Sequence, residues 1–175
     1  VRDYRRPGGS GRHDLTDVVY SVFLARTCGR HDFAIQIVNE NTRLLADHAS
    51  DSHSRVTAEI AFVSVYLDEK SDESLERAVA LLESAGRAIR SRYWQDIALR
   101  FQLFLSIGRL ALREGDIRRA LDYVYRALEM GGTRSLTEPA LVLLSSILLR
   151  CPSESEEIYE RLIKRLGSVR TKWSI

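Results

Sequence analysis

FQLFLSIGRLALREGDIRRALDYVYRALEM, Phe101 to Met130, is the stretch that decides the fold. It reads as two helices joined by a tight turn. Phe104, Ile107 and Ala111 recur at spacings of three and four, the period of one helix face, with Leu112 beside them. Gly115-Asp116 breaks the period, and Asp116 is suited to cap the helix that follows. In that second helix Ala120 and Ala127 stand seven apart beside Val124 and Leu128. Small residues in such a stripe let paired helices pack tightly. Gly108, inside the first helix, costs about 1 kcal/mol of helix propensity. Its position predicts that a neighbouring helix approaches closely there.

Helical periods extend outward from this hairpin in both directions. Val18, Tyr20, Val22, Phe23 and Ala25 mark a first helix that stops before Gly29. Phe33, Ile35, Ile37, Val38, Leu44 and Leu45 mark a second, followed by a polar loop from His48 to Ser54. Val56, Ile60, Val63, Tyr66 and Leu67 form a third. Ser71-Asp72 supplies the cap of a fourth, whose stripe runs through Leu75, Ala78, Val79, Leu82, Ala85 and Ile89. The fifth helix is expected from Trp94 to Arg113 and the sixth from Asp116 to Met130, ended by Gly131-Gly132. Ser135 and Glu138 suit a capping box for a seventh, which carries Leu141, Leu144, Leu148 and Leu149. An eighth starts at Cys151-Pro152-Ser153, with Glu156 three residues beyond Ser153 and an apolar face of Ile158, Leu162 and Leu166.

The chain thus reads as all-α, with eight helices in four consecutive hairpins over residues 14–167. A basic, glycine-rich tail occupies 1–13, and a basic C-terminal tail occupies 168–175. Composition agrees: 175 residues are 45% hydrophobic and 29% charged, with only 3 Pro and 10 Gly, which favours helices over a sandwich or barrel. The formal charge is +2, too mild to demand a nucleic acid or a membrane. Of 26 basic residues only Lys70, Lys164 and Lys172 are lysine, a bias that GC-rich coding produces as readily as function does. Cys28 and Cys151 lie far apart, so the expected setting is a reducing, intracellular one, cytoplasmic or nuclear. No apolar run approaches the roughly 18 residues that span a bilayer, and the arginine-rich start does not read as a signal peptide. Starting at Val1, with Met130 its only methionine, the chain reads as a piece of something longer.

The hairpin resembles the tetratricopeptide repeat, whose pattern is W-x2-L-G-x2-Y, then A-x3-F, then P. Phe104 stands for the Trp, Ile107-Gly108 for Leu-Gly, Ala111 for the Tyr, and Ala120-x3-Val124 for A-x3-F; Gly132 falls where the proline would be. Weaker copies follow the same steps: Gly29 to Ala34 repeats Gly115 to Ala120, and Ala78 to Ala85 repeats Ala120 to Ala127. The anchors Ala34, Ala78 and Ala120 are 44 and 42 apart, against a usual period of about 34. The spacing resembles the extended repeats of scaffolding and regulatory proteins. The resemblance implies a right-handed superhelical solenoid that binds partners on a concave face.

In that family the first helix of each hairpin lines the concave face. The positions implied here include Tyr20 and Phe23, then Val63 and Leu67, then Leu105, Arg109, Leu112 and Arg113, with Val19 and Ser64 beside them. The Lys and Asn positions of the carboxylate-clamp subtype are missing. The expected partner is a protein or peptide with apolar and acidic residues.

For catalysis the sequence shows no motif-bearing Ser-His-Asp or Cys-His arrangement and no phosphate-binding glycine loop. Cys28 with His31, or His48 with His53, supplies too few ligands for a zinc site. No catalytic residues, cofactor or metal are therefore expected, and the chain reads as a non-enzymatic interaction scaffold or subunit joint. Two alternatives stay open. Residues 84–134 carry 10 basic and 5 acidic side chains against 4 basic and 10 acidic over 36–83, so the arginine-rich half suits nucleic acid. The repeats also suit a ligand- or peptide-sensing segment of a multidomain regulator.

Overall fold

The computed structural model describes residues 14–49, 51–130, 134–152, 156–161 and 163–164, without the side chains of 134–137. Both expected tails, the Gly131-Gly132 stop, the Ser135 side chain of the expected capping box and the Ser153 helix start lie outside this description. The described residues are all helix and turn, with no strand. The helices are α1 (Leu15–Thr27), α2 (His31–Asn41), α3 (His53–Tyr66), α4 (Asp72–Arg92), α5 (Ile97–Glu114), α6 (Ile117–Met130) and α7 (Arg134–Arg150). Residues 156–161 form an eighth helical stretch, α8.

Local chemistry sets most of these ends. Asp14, Ser52, Ser71 and Asp96 each accept a backbone N–H of the first turn, from Thr16, Arg55, Ser74 and Leu99 respectively. Asp116 does the same for Arg119 at 3.0 Å. Gly29 and Gly115 adopt left-handed φ values of 69° and 82°. Each closes its helix with the same pair of bonds: Gly29 N–H to Arg26 O and Arg30 N–H to Ala25 O, then Gly115 N–H to Leu112 O and Asp116 N–H to Ala111 O. The Gly-to-Ala step read from the sequence is thus a repeated three-dimensional turn, and Ala34, Ala78, Ala85, Ala120 and Ala127 are all fully buried.

Three boundaries depart from the sequence reading. Leu44 and Leu45 leave the α-helix: α2 ends at Asn41, and Thr42–Asp47 tightens into a 3-10 turn. The side chains of Asn41 and Thr42 donate to the Ile37 and Val38 carbonyls at 2.7 Å, competing for the last turn's acceptors. Trp94 precedes α5 instead of starting it, because Asp96 is the cap. His53 and Ser54 belong to α3, since Ser52 caps one turn earlier than the apolar period begins.

Successive helices pair as hairpins, α1 with α2, α3 with α4, and α5 with α6. The first helix of each hairpin also packs on the first helix of the next, giving a row α1–α3–α5–α7. α5 is shared between two cores. Leu99, Leu103 and Leu110 join the core built by α1–α4. Phe101, Leu105, Ala111 and Leu112 join a second core with α6, α7 and Ile158. The close approach predicted at Gly108 is present: a Cβ there would stand 3.2 Å from Leu143 and 3.5 Å from the Ala120 carbonyl.

Candidate functional site

The row α1–α3–α5–α7 encloses an open groove of about 810 Å³. Each helix contributes a narrow strip at spacings of three and four, which keep side chains on one face. The strips are Val19, Phe23 and Arg26; Thr57, Ala61 and Ser64; Gln102, Leu105 and Arg109; and Glu138, Val142 and Ser146. The last positions, near the helix C-termini, are therefore Arg26, Ser64, Arg109 and Ser146. The first positions are Val19, Thr57, Gln102 and Glu138. Between them the walls are apolar, and Phe23 and Val142, each 62% exposed, stand on the outer helices.

The basic end is built around one carboxylate. Asp68, in the α3–α4 turn, pairs with Arg26 of α1 at 2.9 Å and with Arg109 of α5. Arg26 also donates to Ser64 Oγ at 2.9 Å, and Arg109 to the Ser64 carbonyl at 3.4 Å. The three side chains keep 32%, 26% and 26% exposure for Arg26, Asp68 and Arg109. Burial lowers the Arg109 guanidinium below its ordinary value; Asp68 opposes that shift and Arg26 adds to it. Arginine still stays protonated at neutral pH, so the cluster carries one net positive charge.

A second arginine series stitches the row together. Arg113 of α5 donates to the carbonyls of Tyr66, Glu69 and Ser71, and Arg150 of α7 donates to Leu112 O at 2.7 Å. These bonds reach the last-turn carbonyls of Tyr66 in α3 and Leu112 in α5, and the turn carbonyls of Glu69 and Ser71 just before α4. They also put the C-termini of α3, α5 and α7 side by side, so the lining helices run in the same direction.

The expected groove positions separate accordingly. Phe23, Leu105 and Arg109 line the groove, as do Val19 and Ser64. Val63 and Leu112 do not: Val63 is fully buried and Leu112 sits in the second core. Leu67 packs half-buried on the first core. Arg113 is spent on backbone carbonyls, and Tyr20 is exposed outside the groove walls. α1, α2, α4 and α5 all pack on α3, burying Val63 and leaving Thr57, Ile60, Ala61 and Ser64 along the groove. Sequence reading missed Arg26, Asp68 and Val142. The signal was available for Arg26, seven residues after Val19 on one helix face; none marks Asp68, whose partners lie 42 and 41 residues away.

Elsewhere, His53 bonds Asp96 at 3.2 Å and stacks edge-on against Tyr93. Cys28 and Cys151 are free thiols. Among the described residues no three His, Cys, Asp or Glu side chains converge as a metal site, and no helix is long and apolar enough to cross a membrane. In the arginine-rich half, Arg92, Arg109, Arg119 and Arg126 are ion-paired within the chain. Compared with known proteins, the chain matches no family model, no curated protein and no solved structure.

Proposed function

We propose that this chain is a non-catalytic interaction module that holds an apolar and acidic segment of a partner protein in the α1–α3–α5–α7 groove. The observation that carries the reading is the groove itself. Four parallel helices leave a strip open along its floor, with Phe23 and Val142 exposed on either side. Burying each of those side chains against a partner is worth about 1.5–3 kcal/mol, enough to anchor a helix or an extended peptide. The row of stacked hairpins supports a solenoid of the tetratricopeptide type. The two free cysteines support an intracellular setting.

The test is partner capture from a lysate of the source, comparing the native chain with a Phe23→Ala, Val142→Glu double variant. Both positions are exposed, so the fold is retained. A protein held by the native chain through high salt and nuclease, and lost from the variant, is the expected result. Equal retention by both chains places the binding surface elsewhere. Retention that salt or nuclease abolishes transfers the function to the arginine-rich surface.

A further inference from the structure

We propose that the chain has a second binding surface, for single-stranded nucleic acid, along a ladder of stacked aromatic and guanidinium groups that joins the α4–α5 turn to α6. The ladder runs Trp94, Arg100, Phe104, Tyr123, Arg126. The Arg100 guanidinium lies 5.0 Å from the centre of the Trp94 ring. Arg100 and Phe104 are four residues apart on α5, so they follow each other on one helix face. The Phe104 and Tyr123 rings are 5.8 Å apart, and the Arg126 guanidinium lies 5.2 Å from the centre of the Tyr123 ring. Trp94 is 44% exposed, Phe104 and Tyr123 are half-buried, and Arg126 is exposed. None of the five lines the groove.

Uncompensated arginines flank the ladder. Arg92 is answered by Asp51 and Arg126 by Asp122, both at 2.9 Å. Asp96 is engaged by the Leu99 N–H and His53. Arg87, Arg90 and Arg100 have no ion pair among the described residues, and the buried Nε of Arg100 meets no acceptor there. Arg90 curls over Gly86 against α5: a Cβ at Gly86 would stand 3.5 Å from Arg90 Nη1 and 3.8 Å from Leu103 Cδ1. Glu83, one turn before Arg87 on α4, offsets one of the three charges and leaves two. The C-terminal pole of α4 and the N-terminal pole of α5 meet at this turn and offset one another, so the side chains set the sign.

A single strand uses both halves of the surface. Its bases are flat faces that stack on Trp94 and Tyr123, and its phosphates accept from Arg87 and Arg90. A duplex hides its bases, and an acidic peptide brings charge without a row of planar faces, so neither engages the aromatic half.

The test is fluorescence anisotropy of a labelled oligoadenylate of about 12 nucleotides, within the usual span of such sites, titrated with the native chain over a series of salt concentrations. Binding is expected with a Kd of about 1–100 μM at low salt. Oligouridylate, with its smaller rings, and a duplex of the same length should bind more weakly. Trp94→Leu should weaken the oligoadenylate about tenfold, the scale of one lost base stack, and leave the salt dependence unchanged. Arg90→Gln should instead flatten the slope of log K against log salt by about 0.7, the share of one phosphate contact. Both positions are exposed, and the two readouts are independent, so a misfolded Trp94→Leu chain leaves Arg90→Gln to decide. The Phe23→Ala, Val142→Glu variant should bind the strand like the native chain, which separates this surface from the groove. No binding at about 0.1 mM protein, a duplex bound as tightly as the strand, or normal binding by folded Trp94→Leu overturns the proposal. Polyglutamate competing as well as oligoadenylate also overturns it, and assigns the arginines to an acidic protein.

Discussion

Replacing Arg55 with methionine should destabilise the fold strongly, because it strands a buried carboxylate. Glu59 of α3 has no solvent exposure at all. Its Oε1 accepts from Arg55 Nε at 3.0 Å and from Ser84 Oγ of α4 at 2.9 Å, and its Oε2 meets no donor among the described residues. Arg55, 22% exposed, also donates to the His48 carbonyl at 3.0 Å. Methionine keeps the apolar stem and deletes both bonds, leaving a carboxylate buried with one hydroxyl for company. Breaking one side of a buried pair costs about 3–5 kcal/mol, against a total of about 5–15 kcal/mol for a domain. With a urea m-value of about 2 kcal/mol/M, the midpoint should fall by about 1.5–2.5 M. The double change Arg55→Met, Glu59→Met removes charge and partner together, and should recover most of that loss by filling the site with apolar volume. Urea unfolding of the four members of the cycle measures the coupling. A single Arg55→Met cost under about 1 kcal/mol, or a double variant as unstable as the single, refutes a buried charge at Glu59.

Further tests address the joints between helices. Gly108→Ala should leave stability within about 1 kcal/mol, since helix propensity gained offsets the 3.2 Å contact with Leu143; Gly108→Leu should lose at least about 1–3 kcal/mol in the same melts. Asp96 is held below the ordinary carboxylate range, chiefly because it accepts the Leu99 N–H, with burial opposing and His53 assisting. Its ionised form therefore stabilises the fold above the unfolded pKa of about 3.9, and that contribution fades as pH falls through the lower folded pKa. Asp96→Asn keeps the cap, so its deficit against the native chain should be greatest at neutral pH and shrink under acid; a deficit that grows under acid reverses the assignment. Arg113→Ala should cost about 1–3 kcal/mol and speed amide exchange around the α3–α4 turn, because three carbonyls lose one shared donor. Unchanged exchange there would show that the arginine does not hold the joint.

The all-α architecture was legible because its signals are local. Glycine turns, Ser and Asp caps and buried alanines act within a few residues, and Gly115 with Ala120 already announces the geometry that Gly29 and Ala34 repeat. The errors at helix ends have equally local causes that apolar periodicity does not register. Ser52 starts α3 before its apolar period, and Asn41 and Thr42 end α2 while Leu44 and Leu45 continue it.

The groove is a different kind of object. A step of one residue turns a side chain by about 100°, which is why Val63 lies in the core and Ser64 faces the groove. Which side of a helix stays open depends on the neighbours that cover the others, and no residue of α3 records that α1, α2, α4 and α5 all pack on it. Arginine content likewise showed that cations were plentiful. It did not show that Arg113 serves backbone carbonyls while Arg26 and Arg109 converge on Asp68. By itself the sequence determined helices, turns and their succession, because capping and periodicity are properties of neighbouring residues. Only the tertiary structure decided which face is open and which charges meet, because those depend on side chains brought together from about 40 residues apart.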